Sequence, residues 1–125
     1  MTSPVKWSLA IAVGAVAGAL LRAGFSRWLN TSILTPVGTL LVNVAGSFVM
    51  GFLVALFHKL LPPVWFYGAT AGFCGSLTTF SSIMLELFEM LRVGQFAYAA
   101  LYLLLSVVAG LLALAGGYSL GMKWS

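Results

Sequence analysis

GFCGSLTTFSSIMLE, the stretch Gly72–Glu86, lies inside a long apolar segment of the chain. It contains two glycines and a set of hydroxyl side chains at Ser76, Thr78, Thr79, Ser81 and Ser82. A helix that only crosses a bilayer does not need so many small polar groups, and a soluble loop would not be flanked by so many apolar residues. The stretch therefore predicts a membrane helix that is interrupted part-way across.

Composition supports a membrane protein. Of the 125 residues, 62% are hydrophobic and 6% are charged, whereas a soluble domain is about 45–50% apolar and about 25% charged. A soluble fold of this size could not bury so much apolar surface. We therefore predict one integral membrane domain over residues 1–125, with no linker or charge run.

Four segments are long and apolar enough to cross a bilayer core, which takes about 20 residues. They cover residues 7–21 (extending toward 29), 38–57, 65–91 and 96–122. This predicts an all-α membrane protein whose third helix is broken. Lys6 precedes an apolar run, as in a signal peptide, but no small-residue cleavage site follows before Arg22, so we expect the first span to be retained. Aromatic residues near the span ends suit the membrane interface: Trp7, Trp28, Trp65, Tyr98 and Trp124.

Reactive residues are too few for an enzyme. Cys74 is the only cysteine and His58 the only histidine, so we expect neither a disulfide nor a cysteine–histidine metal site. The acidic residues are Glu86 and Glu89, and Glu89 is three residues from Arg92, a spacing that favours an ion pair. Glu86 follows the break by about two turns and can line a water-filled mouth. No catalytic set and no basic patch for nucleic acid is present.

Charge is balanced across the predicted topology. One side of the membrane holds Lys6, Lys59 and Lys123, and the other holds Arg22, Arg27 and Arg92. The positive-inside rule then favours neither orientation, so two opposite copies can form an antiparallel homodimer. The alternative is that a few amino-terminal residues decide the orientation. Four helices make a thin bundle, and a solute pathway would need a second copy.

Polar residues repeat on single helix faces. Thr39, Asn43 and Ser47 are spaced i, i+4 and i+8, and Tyr102 and Ser106 are spaced i, i+4. Such groups in hydrocarbon must meet each other, water or a solute. Interhelical hydrogen bonding and a solute pathway both remain open at this point. The GxxxG pairs favour close helix packing: Gly14 with Gly18, and Gly117 with Gly121.

The break itself predicts an ion site. Gly72 and Gly75 are expected to relax the helix between residues 72 and 79, although a simple kink is the alternative. Freed carbonyls can coordinate a cation, and freed amides can meet an anion. The positive edge of the Phe80 ring, beside nearby hydroxyls, can hold a dehydrated anion without a fixed charge.

Three motifs give the chain a resemblance to the small bacterial fluoride channels of the Fluc/CrcB family. They are GAVAGALLR at 14–22, GTLLVNVAGSFVMG at 38–51 and GFCGSLTTFSS at 72–82. The resemblance implies a dual-topology antiparallel homodimer in the bacterial inner membrane. It implies passive, fluoride-selective export through two pores, with fluoride and sodium as the ions bound.

The resemblance also implies roles for individual residues. A structural sodium ion at the dimer interface is expected on the backbone carbonyls of Gly75 and Thr78. The expected fluoride pore consists of Asn43, Phe80, Ser81, Ser82, Ile83, Tyr102 and Ser106. Arg22 and Glu86 are expected to be vestibule or structural residues.

Two positions depart from the family pattern. Ile83 stands where the family usually has a second phenylalanine, and Gly110 stands where some relatives have a serine. A small proton-coupled multidrug transporter is the alternative function. It needs a membrane-embedded carboxylate, and the first span has none. A third possibility is an assembly protein without any pathway.

Overall fold

The computed structural model describes residues 3–125, apart from the side chains of residues 58 and 59. Helix α1 covers Pro4–Leu29, α2 covers Val37–Leu60 and α6 covers Phe96–Trp124. Between α2 and α6 the third span is composite. It consists of α3 (Pro63–Tyr67), a π-helical segment (Gly68–Cys74), α4 (Gly75–Leu77) and α5 (Phe80–Arg92). Four stretches of the described chain are long and apolar enough to cross a membrane, which confirms the four predicted spans.

Side chains near the helix ends explain where the helices begin. Ser3 accepts a hydrogen bond from the Lys6 amide, and Pro4 follows as the first helical residue of α1. Pro36 offers no capping side chain to α2. Instead, the Oδ1 atom of Asn30 accepts hydrogen bonds from the Gly38 amide at 2.6 Å and the Thr39 amide at 3.4 Å. The residue that ends α1 therefore also caps α2.

Glycines allow α1 to lie directly against the third span. A Cβ atom added at Gly14 would collide with the Gly68 carbonyl, and one at Gly18 would collide with the Phe73 carbonyl. A Cβ at Gly72 would lie 2.5 Å from the Ile11 carbonyl oxygen. Backbones that approach this closely exclude any side chain. The tight packing predicted for Gly14 and Gly18 is confirmed.

Helices α2 and α6 form the other close pair, and glycine again sets their distance. A Cβ at Gly117 would collide with the Phe48 carbonyl, and one at Gly121 would lie 2.7 Å from the Phe52 carbonyl oxygen. The packing role of this second glycine pair is also confirmed. The face of α6 turned away from α2 exposes many leucine and valine side chains, as expected for a helix in lipid.

The predicted interruption from residue 72 to 79 takes two separate forms in the structure, a π-helical segment and a short extended break. Gly72 lies in the π-helical segment and Gly75 has helical angles, φ −63° and ψ −32°. Only Thr78 and Thr79 leave the helical conformation. Gly72 departs from regular α-helix, as expected, and it also lets α1 approach. The small residues of this stretch therefore also serve the close contact between helices.

Candidate functional site

The third span is broken by two extended residues. Thr78 has φ −87° and ψ 153°, and Thr79 has φ −150° and ψ 119°. The amide and the hydroxyl of Thr78 both donate to the Cys74 carbonyl, at 3.0 Å and 2.9 Å, and this ends the first half of the span. The Thr79 hydroxyl accepts from the Ser82 amide at 3.2 Å and caps α5. Two threonines therefore close one helix and start the next.

Asn43 of α2 binds the backbone of the break from the side. Its Oδ1 accepts from the Thr79 amide at 2.8 Å, and its Nδ2 donates to the Thr79 carbonyl at 3.3 Å. Both ends of one side-chain amide thus pair with both polar groups of one residue. Non-helical backbone inside a membrane needs such partners, because lipid offers none.

Arg22 of α1 provides a further partner. Its Nε donates to the Ser76 carbonyl at 2.9 Å. In a continuous helix that carbonyl would accept from the amide four residues later, which is Phe80. The half-buried guanidinium replaces this lost bond, so Arg22 has a structural contact with the break.

Three further carbonyls at the break accept no backbone hydrogen bond among the described residues: those of Gly75, Leu77 and Thr78. The amide that a continuous helix would give to Gly75 belongs to Thr79, and it donates to Asn43. The amide due to Thr78 belongs to Ser82, and it donates to the Thr79 hydroxyl. Two side chains therefore capture two amides and free two carbonyls.

The freed carbonyls fit a cation by their chemistry. Gly75 lies on the protomer surface, and unwound backbone carbonyls inside membranes are ligands for Na⁺. The described residues contain no group of three or more His, Cys, Asp or Glu side chains that could hold a metal. A cation at this break would therefore depend on backbone oxygen, as the predicted sodium ligands Gly75 and Thr78 require.

An uncharged polar groove of about 260 Å³ opens beside the break. Its walls come from α2, the break, α5 and α6: Asn43, Ser47, Thr78, Thr79, Phe80, Ile83 and Ser106. The Ser47 hydroxyl donates to the Asn43 carbonyl at 2.7 Å, so its proton is already used. Ser106 Oγ is the single buried side-chain polar atom of the described residues with no hydrogen-bond partner. The groove thus offers an unused hydroxyl and no charge.

The remaining hydroxyls of the third span gather at Thr79. The Ser81 and Ser82 hydroxyls lie 3.3 Å and 3.2 Å from Thr79 Oγ1, and Ser81 is exposed at the protomer surface. Phe80 is 75% exposed, although it also lines the groove. The side chains expected to meet the anion path therefore lie at the edge of a single protomer.

Glu86 is buried, with 6% of its surface exposed. Thr39 donates to its Oε1 at 2.6 Å and Tyr102 donates to its Oε2 at 2.5 Å. Within the protomer, these two hydroxyls and the neighbouring helices enclose the Glu86 carboxylate. The expected vestibule or structural role of Glu86 stays a prediction.

Sequence reasoning missed the fourth member of this cluster, Asn30. Its Nδ2 donates to Thr39 Oγ1 at 3.1 Å, so the Thr39 proton is left for Glu86. Tyr102, predicted to line the pore, contributes its hydroxyl to the same carboxylate and does not line the groove. Asn30 lies seven residues before α2 begins at Val37, too far for a capping signal in the sequence, and its link to Glu86 through Thr39 depends on tertiary structure.

Beyond this cluster, the last acidic residue forms the predicted surface contact. Arg92 Nη2 lies 2.7 Å from Glu89 Oε2, which confirms that ion pair. Cys74 is 1% exposed and packs among apolar groups, as expected.

These features define a multi-pass α-helical membrane protein with a broken third span and an uncharged polar groove beside the break. The profile of the family described as CrcB-like protein, Camphor Resistance (CrcB) matches residues 9–118. The chain belongs to this family.

Similar proteins cover most of the chain. A Marinobacter nauticus protein named fluoride-specific ion channel FluC is 44% identical over 90% of this chain and 92% of its own. A Staphylococcus saprophyticus protein named fluoride-specific ion channel FluC 2 is 41% identical over 94% and 98%. A Chromobacterium violaceum FluC protein is 46% identical over 77% and 80%.

Proposed function

We propose that this protein is a passive, fluoride-selective ion channel of the bacterial inner membrane. The observation that carries the proposal is the uncharged groove beside the break, with Asn43 on one wall and the unpartnered Ser106 hydroxyl on another. The relatives bear the name fluoride-specific ion channel, and the groove has the chemistry that such an ion requires.

Fluoride is small and strongly hydrated, so a pathway must replace its water with hydrogen-bond donors. The Ser106 hydroxyl is available to donate, while the positive edge of the Phe80 ring supplies a weaker field. A fixed lysine or arginine would hold the anion more strongly and slow its exit. Ile83 lines the groove in place of a second ring, so here Phe80 provides the aromatic contact and Ile83 provides shape and dryness.

Two copies are needed to complete the pathway. The groove is open at the protomer surface, Phe80 is 75% exposed, and the free Gly75 carbonyl lies on that surface. A carbonyl left bare in lipid costs several kcal/mol. A second copy related by a two-fold axis in the membrane plane would cover the same face on both molecules. The result is an antiparallel homodimer with two pores.

A structural sodium ion between the two copies would satisfy the free carbonyls. Gly75 and Thr78 contribute two oxygens from each copy, and no carboxylate is involved. The ion would offset the cost of unpaired carbonyls at the break and thereby stabilise the dimer.

The other functions have less support. Proton-coupled drug exchange needs an accessible carboxylate, whereas Glu86 is enclosed by Thr39 and Tyr102 and Glu89 is paired with Arg92. An enzyme would need a catalytic set, and the family relatives bear channel names.

Efflux from proteoliposomes tests the channel. With internal potassium fluoride and valinomycin, we expect fluoride release within seconds, and with potassium chloride we expect release no faster than from protein-free vesicles. Comparable rates for both anions would overturn the selectivity. No flux of either anion would favour an assembly protein.

The sodium ion is tested by stability in detergent. We expect the melting temperature of the purified dimer to rise with sodium concentration at constant ionic strength, with N-methylglucamine chloride as the balancing salt. Melting that does not depend on sodium, after exhaustive dialysis against the organic cation, would contradict the site.

A further inference from the structure

A second groove lies at the other end of the molecule, between the start of α1 and the start of α3. Its volume is about 590 Å³. The lining residues come from two helices and the turn that precedes α3: Lys6, Leu9, Ala10, Val13, Pro62, Val64 and Trp65. All of them except Lys6 are apolar, so the groove is hydrophobic along its length and positively charged at one end.

The walls of this groove are held in place by contacts outside it. The Trp7 and Tyr67 rings pack with their centroids 5.0 Å apart, which joins α1 to α3. Gly68 lies so close to Ala10 that an added Cβ would be 2.9 Å from the Ala10 carbonyl oxygen. Leu9 and Val13 follow one another at i, i+4 on α1 and form a continuous apolar strip. The groove is therefore a fixed feature of the packing.

Lys6 has no acidic side chain within the molecule to pair with. The chain contains two acidic residues. Glu86 accepts hydrogen bonds from Thr39 and Tyr102, and Glu89 is paired with Arg92. The exposed Lys6 ammonium group at the end of a membrane span is therefore available to an anionic lipid headgroup.

We propose that this groove binds an anionic phospholipid, with the headgroup phosphate on Lys6 and an acyl chain along Leu9 and Val13. Exposed Trp65 lies at the same end of the groove, where indole rings sit at headgroup level. A second copy of the chain fits less well, because its two carboxylates are engaged in the same way and cannot pair with Lys6. The occupant is thus assigned by charge as well as by shape.

Headgroup selectivity is tested on the full-length protein by native mass spectrometry, with phosphatidylglycerol and phosphatidylcholine of identical acyl chains. One lysine near an anionic headgroup contributes about a five-fold preference. We expect Lys6→Ala to reduce the ratio of phosphatidylglycerol to phosphatidylcholine adducts about five-fold. Lys123→Ala, which removes a lysine on the same side of the membrane outside the groove, should leave the ratio unchanged. Equal ratios in the two variants would overturn the proposal.

The acyl-chain part of the proposal has its own matched pair. Leu9 and Val16 are both 59% exposed on α1, but only Leu9 lines the groove. Leu9→Trp should fill the groove and reduce adducts of both lipids, whereas Val16→Trp should not. Equal adduct levels in the two variants would also contradict the assignment.

A third measurement decides between a lipid and a second copy. Cys74 is the only native cysteine and is 1% exposed, so a Leu9→Cys variant has one accessible thiol. We expect no disulfide-linked dimer after copper-phenanthroline oxidation in proteoliposomes. Efficient cross-linking would show that a protein neighbour occupies the groove and would overturn the lipid assignment.

Discussion

Asn43 controls the break through one side chain that acts as both donor and acceptor. By taking the Thr79 amide, it leaves the Gly75 carbonyl without its helical partner, and by donating to the Thr79 carbonyl it satisfies the extended backbone. The same side chain lines the polar groove. Asn43, on the polar face of α2, therefore links the proposed cation site to the proposed anion path.

Replacing Asn43 should affect both stability and conduction. Asn43→Ala leaves two backbone groups of Thr79 unpaired, and each buried unpaired group costs about 1–3 kcal/mol. We expect a lower melting temperature and fluoride efflux slower by about tenfold, which corresponds to about 1.4 kcal/mol in the barrier. Ser47→Ala is the control, since its hydroxyl lines the same groove but binds only the Asn43 carbonyl. Unchanged efflux in Asn43→Ala would remove this residue from the pathway.

The buried cluster around Glu86 shows what residue patterns could and could not predict. The helical spacing placed Thr39 with Asn43, and Tyr102 with Ser106, on shared faces. It did not reveal that Thr39 and Tyr102 meet the same carboxylate, because that contact joins three separate helices. Interhelical hydrogen bonding is confirmed for Thr39 and Tyr102, and Asn43 also bonds across helices to Thr79. Asn43 and Ser106 line the groove, and the solute pathway stays a prediction.

At the scale of elements, the number of spans follows from composition and length. Apolar runs of about 20 residues are not stable in water, so each is expected to cross the membrane. The extent of the break did not follow. Glycine signals both loose backbone and close packing, and sequence alone does not separate the two. At Gly72 both occur, because the residue lies in a π-helical segment and also contacts Ile11 of α1. The threonines, which capture backbone hydrogen bonds with their own hydroxyls, mark the actual break.

Two glycines of α1 provide a matched test of this packing. An added methyl group at Gly18 would meet the Phe73 carbonyl and the Leu77 amide, the latter at 3.0 Å, whereas nothing lies within 4 Å at Gly24. Gly18→Ala should therefore lower stability by about 1–3 kcal/mol. Gly24→Ala should be neutral or stabilise by about 0.5–1 kcal/mol, as alanine favours helix.

Thermal unfolding of the purified variants in detergent measures both effects. The comparison is internal to one helix, so general effects of alanine on α1 cancel. If Gly18→Ala and Gly24→Ala have the same melting temperature, the close approach of α1 to the third span does not determine stability.

At the scale of the whole molecule, two features bear on assembly. One is the balance of three lysines on one side of the membrane against three arginines on the other, and the second is the exposed break. The free Gly75 carbonyl lies on the same protomer surface as the exposed Phe80 ring, and lipid offers that carbonyl no hydrogen-bond donor. A second copy in the opposite orientation would cover this surface, and a chain without charge bias can supply both orientations. The balanced charge is therefore compatible with the antiparallel pair on which the proposed pathway depends.

Adding positive charge to one side of the membrane should therefore abolish fluoride efflux. A second variant with the charge added to the opposite side should restore it. Thr31→Lys with Gln95→Lys adds positive charge to the arginine side, and Ser125→Lys with two appended lysines adds it to the other side. Each variant alone should insert in one orientation and give no fluoride efflux from vesicles, whereas their co-expression should restore it. Because native Cys74 is buried, orientation is read in spheroplasts from the labelling of a cysteine introduced on the arginine side by Ser32→Cys with a membrane-impermeant maleimide. Full efflux from either variant alone, with one orientation verified, would show that antiparallel pairing is not required.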